Sequence, residues 1–139
     1  MIVYVETSAA AKLVVEEEAS ERLAGWLDTT VREGALLVSS TLLETELRRL
    51  AIGLQLDQSD VTALPSRFDL VEPDRTVYRE AGLLPGPHLP SPHMPSPHMR
   101  SLDALHLAVA LRSDADTMVT YDVRQSEAAA NSGLPVLAP

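Results

Sequence analysis

Cysteine is absent from the chain, which excludes disulfide frameworks, thiolate zinc centres and cysteine nucleophiles together. Aromatic residues make up only 4% of the sequence, so aliphatic side chains must fill the core. Lysine occurs once, at Lys12, and 11 basic residues face 20 acidic ones, for a net charge of −9. A surplus of that sign argues against diffuse, charge-driven adhesion to nucleic acid. It leaves open an enzyme that holds nucleic acid through a metal ion, because a divalent cation needs hard oxygen ligands and a carboxylate site adds to the acidic total. No apolar run reaches the length of a membrane span, and no charged-then-apolar leader precedes a small-residue cleavage site. The expectation is a cytoplasmic protein with no membrane partner.

The 139 residues, 45% hydrophobic and 22% charged, suit one globular domain over 1–139. Ile2-Val3-Tyr4-Val5 reads as a buried strand. Ala9 to Leu13 is helix-prone, with Ser8 or Thr7 as its candidate cap. A second helix carries Leu23, Trp26 and Leu27 on one side, and Ala35 to Val38 is a second strand ending at Ser39-Ser40. Thr41 to Leu54 is a helix, with Leu43, Leu47, Leu50 and Leu54 at helical spacing. A short helix before Pro65, a strand at Phe68–Val71 and a helix at Asp74–Leu83 follow. The remaining elements are a helix at Ser101–Arg112, a strand at Thr117–Thr120, a helix at Val123–Asn131 and a last strand at Pro135–Leu137. Strands alternating with helices imply an α/β fold, with a parallel sheet covered by helices on both faces. Ligands in such sheets sit at the carboxyl ends of strands, near a switch in strand order.

Residues 84–100 form a separate feature. Three consecutive pentapeptides repeat proline and histidine, placing His88, His93 and His98 five apart. Proline at alternate positions forbids helix or central strand, so the segment is expected to be an extended loop insertion. It reads as a small tandem repeat expanded in a tolerant loop rather than as a metal tract, since no carboxylate lies within the repeats.

Four acids stand where chemistry is expected. Glu6 and Asp122 each follow a predicted strand. The alternative role for Asp122 is to cap the next helix. Glu46 lies about 70° from the centre of the leucine stripe. A carboxylate on the edge of a buried stripe needs a cationic partner, a metal or a cleft. Asp103 is in the first turn of a helix that is apolar nearly all round, where the helix dipole alone would favour it. His106, one turn on, reads as a core or hydrogen-bonding histidine. Ser8 and Thr120, near strand ends, are candidates to support a carboxylate. Clustered carboxylates repel, so their convergence suggests a divalent cation, and oxygen-only ligands favour Mg²⁺ or Mn²⁺ over zinc. The chemistry such an ion performs is hydrolytic phosphoryl transfer. Arg48, Arg49, Arg100, Arg112 and Arg124 are the candidate phosphate contacts.

Taken in order, Ile2 to Ala9, Thr45-Glu46-Leu47-Arg48-Arg49, Leu102-Asp103-Ala104-Leu105-His106-Leu107-Ala108 and Val119-Thr120-Tyr121-Asp122 resemble the PIN-domain ribonucleases. The likeness is greatest to the VapC-type toxins of toxin–antitoxin pairs, and it spans the chain outside the proline-histidine repeats. It implies a three-layer α/β/α domain with a parallel sheet of about five strands, and Mg²⁺- or Mn²⁺-dependent RNA cleavage, usually by a homodimer. A small VapB-like antitoxin partner is implied as well. The four acidic positions map onto Glu6, Glu46, Asp103 and Asp122, as catalytic and metal-holding residues. Thr7 or Ser8, and Thr120, occupy the supporting hydroxyl positions. The first acid of the family is normally Asp. Glu6 displaces its carboxylate by about one C–C bond length, a misplacement that can cost ~10²-fold in rate, so Glu6 is either a tolerated variant or a change that lowers activity. The alternative implied is therefore a catalytically weakened PIN-like protein that mainly binds antitoxin. A phosphoacceptor receiver domain is excluded by the lack of a late lysine.

Overall fold

The computed structural model describes residues 1–85 and 99–139; residues 86–98 of the repeats, with His88, His93 and His98, lie outside the described residues. β1 (Ile2–Val5) is β-branched and apolar, and its alternation decides the layering. Val3 and Val5 face one core with Leu23, Leu27, Leu43 and Leu47. Tyr4 faces a second core with Val77, Leu107, Met118 and Ala128. Both sides of the strand are therefore covered, as the apolar run requires.

The elements that follow are α1 (Thr7–Ala11), α2 (Ser20–Arg32), β2 (Leu36–Ser40), α3 (Leu42–Gly53) and α4 (Gln58–Ala63). A 3₁₀ turn at Leu64–Arg67 leads to β3 (Asp69–Val71) and α5 (Arg75–Leu83). After the repeats come α6 (Ser101–Arg112), β4 (Thr117–Val119), α7 (Val123–Asn131) and β5 (Val136–Leu137). The sheet is parallel throughout, in the order β3-β2-β1-β4-β5. This is the three-layer α/β/α arrangement that the alternation of strands and helices predicts. Gly34 (φ 96°) and Gly133 (φ 80°) turn the chain out of α2 and α7 in the left-handed conformation that glycine adopts cheaply.

Strand order reverses beside β1, whose neighbours are β2 on one side and β4 on the other. The carboxyl ends of β1 and β4 therefore open a crevice at the switch point. The register pairs Val5 with Val119, and the Glu6 N–H extends the ladder to the Val119 carbonyl at 3.0 Å. Glu6 and Thr120 consequently emerge side by side. α6 borders this crevice. It is buried without interruption from Asp103 to Ala110, as its all-round apolar sequence predicts. Among the described residues no helix is long and apolar enough to cross a membrane.

Candidate active site at the carboxyl end of the sheet

Glu6 is 5% exposed and caps α1 itself, accepting the Ser8 N–H at 2.9 Å. This corrects the assignment of that cap to Ser8 or Thr7. Their hydroxyls are turned instead toward carboxylates. Ser8 Oγ donates to Glu6 Oε2 at 2.5 Å, and Thr120 Oγ1 donates to the same oxygen at 2.9 Å. Thr7 Oγ1 donates to Glu46 Oε2 at 2.6 Å.

Glu46, on α3, reaches over the end of the sheet. Its Oε2 also accepts from His106 Nε2 at 2.6 Å, and His106 is fully buried on α6. The opposite nitrogen, Nδ1, lies 2.7 Å from the Tyr4 hydroxyl. Burial pushes the Tyr4 phenol well above its ordinary pKa, and the charges of Glu6 and Glu46 push it the same way, against hydrogen bonds from Ser39 and the Ser40 backbone. The Glu46 carboxylate can only accept, so Nε2 carries the proton of that bond, and the Tyr4 hydroxyl holds the opposite nitrogen. At Glu46 itself burial acts to raise the pKa. The hydrogen bond and positive character of His106, followed by Thr7 and the charge of Arg100, outweigh it and hold the carboxyl below its ordinary value.

Both glutamates share one design. Among the described residues, every hydrogen bond to the Glu6 and Glu46 carboxylates falls on Oε2. In each, one oxygen is anchored by donors from neighbouring elements and the other accepts no hydrogen bond among the described residues.

Asp103 and Asp122 are joined differently. Arg100 donates from Nε to Asp103 Oδ2 at 2.7 Å and from a terminal nitrogen to Asp122 Oδ2 at 2.9 Å. The Asp103 side chain is 8% exposed, that of Asp122 27% and that of Arg100 60%. Asp122 also caps α7, as its position after β4 predicts, accepting the Gln125 N–H at 3.0 Å through Oδ1. Thr120 Oγ1 accepts the Asp122 N–H at 3.1 Å, which links this aspartate to the Glu6 cage. Glu6, Asp122 and Asp103 are thus linked in one hydrogen-bonded network at this end of the sheet, and Glu46 belongs to a second one with Thr7, His106 and Tyr4. In the arrangement seen, no three His, Cys, Asp or Glu side chains among the described residues converge closely enough to hold a metal ion. The acids are engaged by hydroxyls, an imidazole and a guanidinium, and the guanidinium stands as a cation between two of them.

Two residues of the network escape a reading of the sequence. Tyr4 had one signal, since a tyrosine inside a buried strand needs a partner for its hydroxyl. Gln125 had none. It is fully buried and donates to the Asp103 carbonyl at 3.0 Å, bolting α7 to the first turn of α6. Of the candidate arginines, Arg48 pairs with Glu44 and Arg112 with Glu80, while Arg100 and Arg124 line the cleft beside Asp122.

A PIN domain family model matches residues 3–131. Ribonuclease VapC35 of Mycobacterium tuberculosis is 37% identical over 145 aligned positions, covering 99% of this chain and 97% of its own. The crystal structure of Mycobacterium tuberculosis VapC20, described as a sarcin-ricin loop cleaving toxin, superimposes with a TM-score of 0.71 at 14% identity, covering 99% of both chains. VapBC2 from Rickettsia felis, solved bound to a DNA fragment from its promoter, matches with a TM-score of 0.71 at 16% identity, over 99% of this chain and 98% of that one.

Proposed function

This chain belongs to the PIN-domain family, among its VapC-type ribonucleases, and we propose that it cleaves RNA at the crevice between β1 and β4 with a divalent cation held by Glu6, Glu46, Asp103 and Asp122. The observation that carries this reading is the pair of glutamates at the end of the sheet, Glu6 buried and Glu46 partly so, each anchored through Oε2 by donors on other elements. The donor set is carboxylate oxygen throughout, which suits Mg²⁺ or Mn²⁺. The Arg100 guanidinium between Asp103 and Asp122 is a stand-in for that charge. When bound, the ion supplies polarisation of the scissile phosphate and activation of the attacking water.

The protein's own part is positional. Ser8 and Thr120 hold Glu6, Thr7 and His106 hold Glu46, and Gln125 fixes the spacing of the helices that carry the two aspartates. Arg100 exchanges its carboxylate partners for an RNA phosphate, which supplies the local positive charge that a chain of net charge −9 lacks overall. The proposed setting is the cytoplasm. A VapB-like antitoxin is the proposed partner, covering the crevice, and a homodimer is the proposed assembly.

The test is cleavage of a fluorophore–quencher RNA oligonucleotide by the purified chain. Cleavage with Mn²⁺ or Mg²⁺ that stops on adding a chelator is expected; cleavage undiminished by the chelator would sink the metal reading. The same preparation tests Arg100. Because an exposed ion pair is worth at most about 1 kcal/mol, Arg100→Ala is expected to tighten Mn²⁺ binding about threefold by calorimetry. It should at the same time raise KM for RNA. Weaker Mn²⁺ binding by this variant would make Arg100 an organiser of the aspartates rather than a stand-in cation.

A further inference from the structure

The proposed ligand Glu46 sits at the end of a long side chain on α3, 20% exposed at a crevice mouth. Left to itself such a side chain would sample several rotamers, and ordering it carries an entropic cost. Two donors fix it. Thr7 belongs to the same helical layer as α3, whereas His106 crosses from the opposite layer, so the His106–Glu46 bond closes over the end of the sheet. His106 cannot itself turn, because Tyr4 Oη grips its other nitrogen at 2.7 Å and the two rings meet edge to face at 5.9 Å. Tyr4 in turn is locked in the central strand and fully buried. A rigid strand thus dictates the orientation of an imidazole, and the imidazole dictates which carboxylate oxygen of Glu46 is anchored.

We infer that His106, gripped by Tyr4, is a positioning residue that orients Glu46 for the reaction. This rests on the metal-dependent reading above and extends it to residues outside the acid set. Groups that orient a metal-binding side chain are typically worth 10–100-fold in metal affinity or activity. The same helix would then supply both the ligand Asp103 and the residue that aims Glu46, one turn apart.

The full chain and three variants test it by Mn²⁺ calorimetry and by cleavage of the RNA oligonucleotide at saturating Mn²⁺, with thermal melting as the control for folding. His106→Leu fills the volume without a donor. It is expected to weaken Mn²⁺ binding and lower kcat about 10-fold, with KM for RNA within about twofold. His106→Gln places an amide donor near the position of Nε2 and is expected to recover most of both losses. Tyr4→Phe keeps the packing but releases Nδ1, and is expected to cost about threefold in Mn²⁺ affinity and kcat. It carries the test should His106→Leu fail to fold. Mn²⁺ binding unchanged in Tyr4→Phe, or His106→Gln no better than a folded His106→Leu, overturns the assignment. A wild-type chain that binds no Mn²⁺ and cleaves no RNA overturns the metal reading beneath it, and the two failures are distinguished by the wild-type titration alone.

Discussion

Glu6→Asp is expected to lower metal-dependent RNA cleavage about 10²-fold, although aspartate is the residue the family pattern has at this position. The argument turns on what the extra methylene does here. The Glu6 carboxylate is folded back so that Oε2 accepts from the Ser8 amide, Ser8 Oγ and Thr120 Oγ1 at once. Those donors come from the start of α1 and the end of β4, and their positions are fixed by the β1–β4 register. Shortening the side chain withdraws the carboxylate by about one C–C bond, and a displacement of that size near reacting atoms costs ~10²-fold. Stability should move little or rise, because aspartate is a strong N-cap and can still accept the Ser8 amide. Loss of cleavage with an unchanged melting temperature is therefore the expected pairing. Faster cleavage by the variant than by the native chain would establish the opposite, that Glu6 weakens catalysis; cleavage by the variant alone would favour a protein that mainly binds antitoxin.

How much of this site is legible in the sequence depends on how far each contact reaches. The strand ends that carry Glu6 and Asp122 follow from local apolar runs, and parallel topology then makes their meeting predictable. The edge position of Glu46 on its leucine stripe calls for a cationic or polar partner, and the all-round apolarity of α6 requires His106 to be buried. Neither pattern says that the two needs satisfy each other, since that contact joins residues 60 apart in sequence across two helical layers. The Tyr4–His106 bond spans 102 positions and depends on the face that Tyr4 takes in β1, which only the register decides. The cap of α1 departs from the sequence expectation for a local reason. Ser8 and Thr7 have good capping chemistry, but their hydroxyls are drawn off to Glu6 and Glu46, and the glutamate before them takes the amide. Arg48 and Arg112 lie near the acids in sequence, and each finds a carboxylate on its own helix or the preceding one. Helical spacing and packing, not proximity along the chain, choose their partners.

Asp103→Asn is expected to abolish cleavage, with a loss of at least about 10³-fold, the upper range for removing one fixed electrostatic group from a reaction centre. The fold should survive, for three reasons. Asparagine has the same shape and can still accept from Arg100 through its amide oxygen. The Gln125 bond that ties α7 to α6 goes to the Asp103 backbone carbonyl and does not involve the side chain. Truncating one partner of an ion pair is costly mainly when it strands a buried charge, and here the charge left is Arg100, which is 60% exposed at its side chain and keeps Asp122 as a partner. A destabilisation of about 1 kcal/mol, a few degrees in Tm for a chain of this length, is the expected structural cost. The electrostatic cost is larger, because the substitution neutralises the most buried of the two aspartates that Arg100 bridges and removes one anionic oxygen ligand from the proposed set. Mn²⁺ titration and oligonucleotide cleavage, read beside a thermal melt, separate the two costs. A variant that melts with the native chain and has lost both Mn²⁺ binding and cleavage places Asp103 in the reaction centre. Native cleavage by a folded Asp103→Asn chain would remove Asp103 from the mechanism and, with it, the reason for Arg100 to stand where it does.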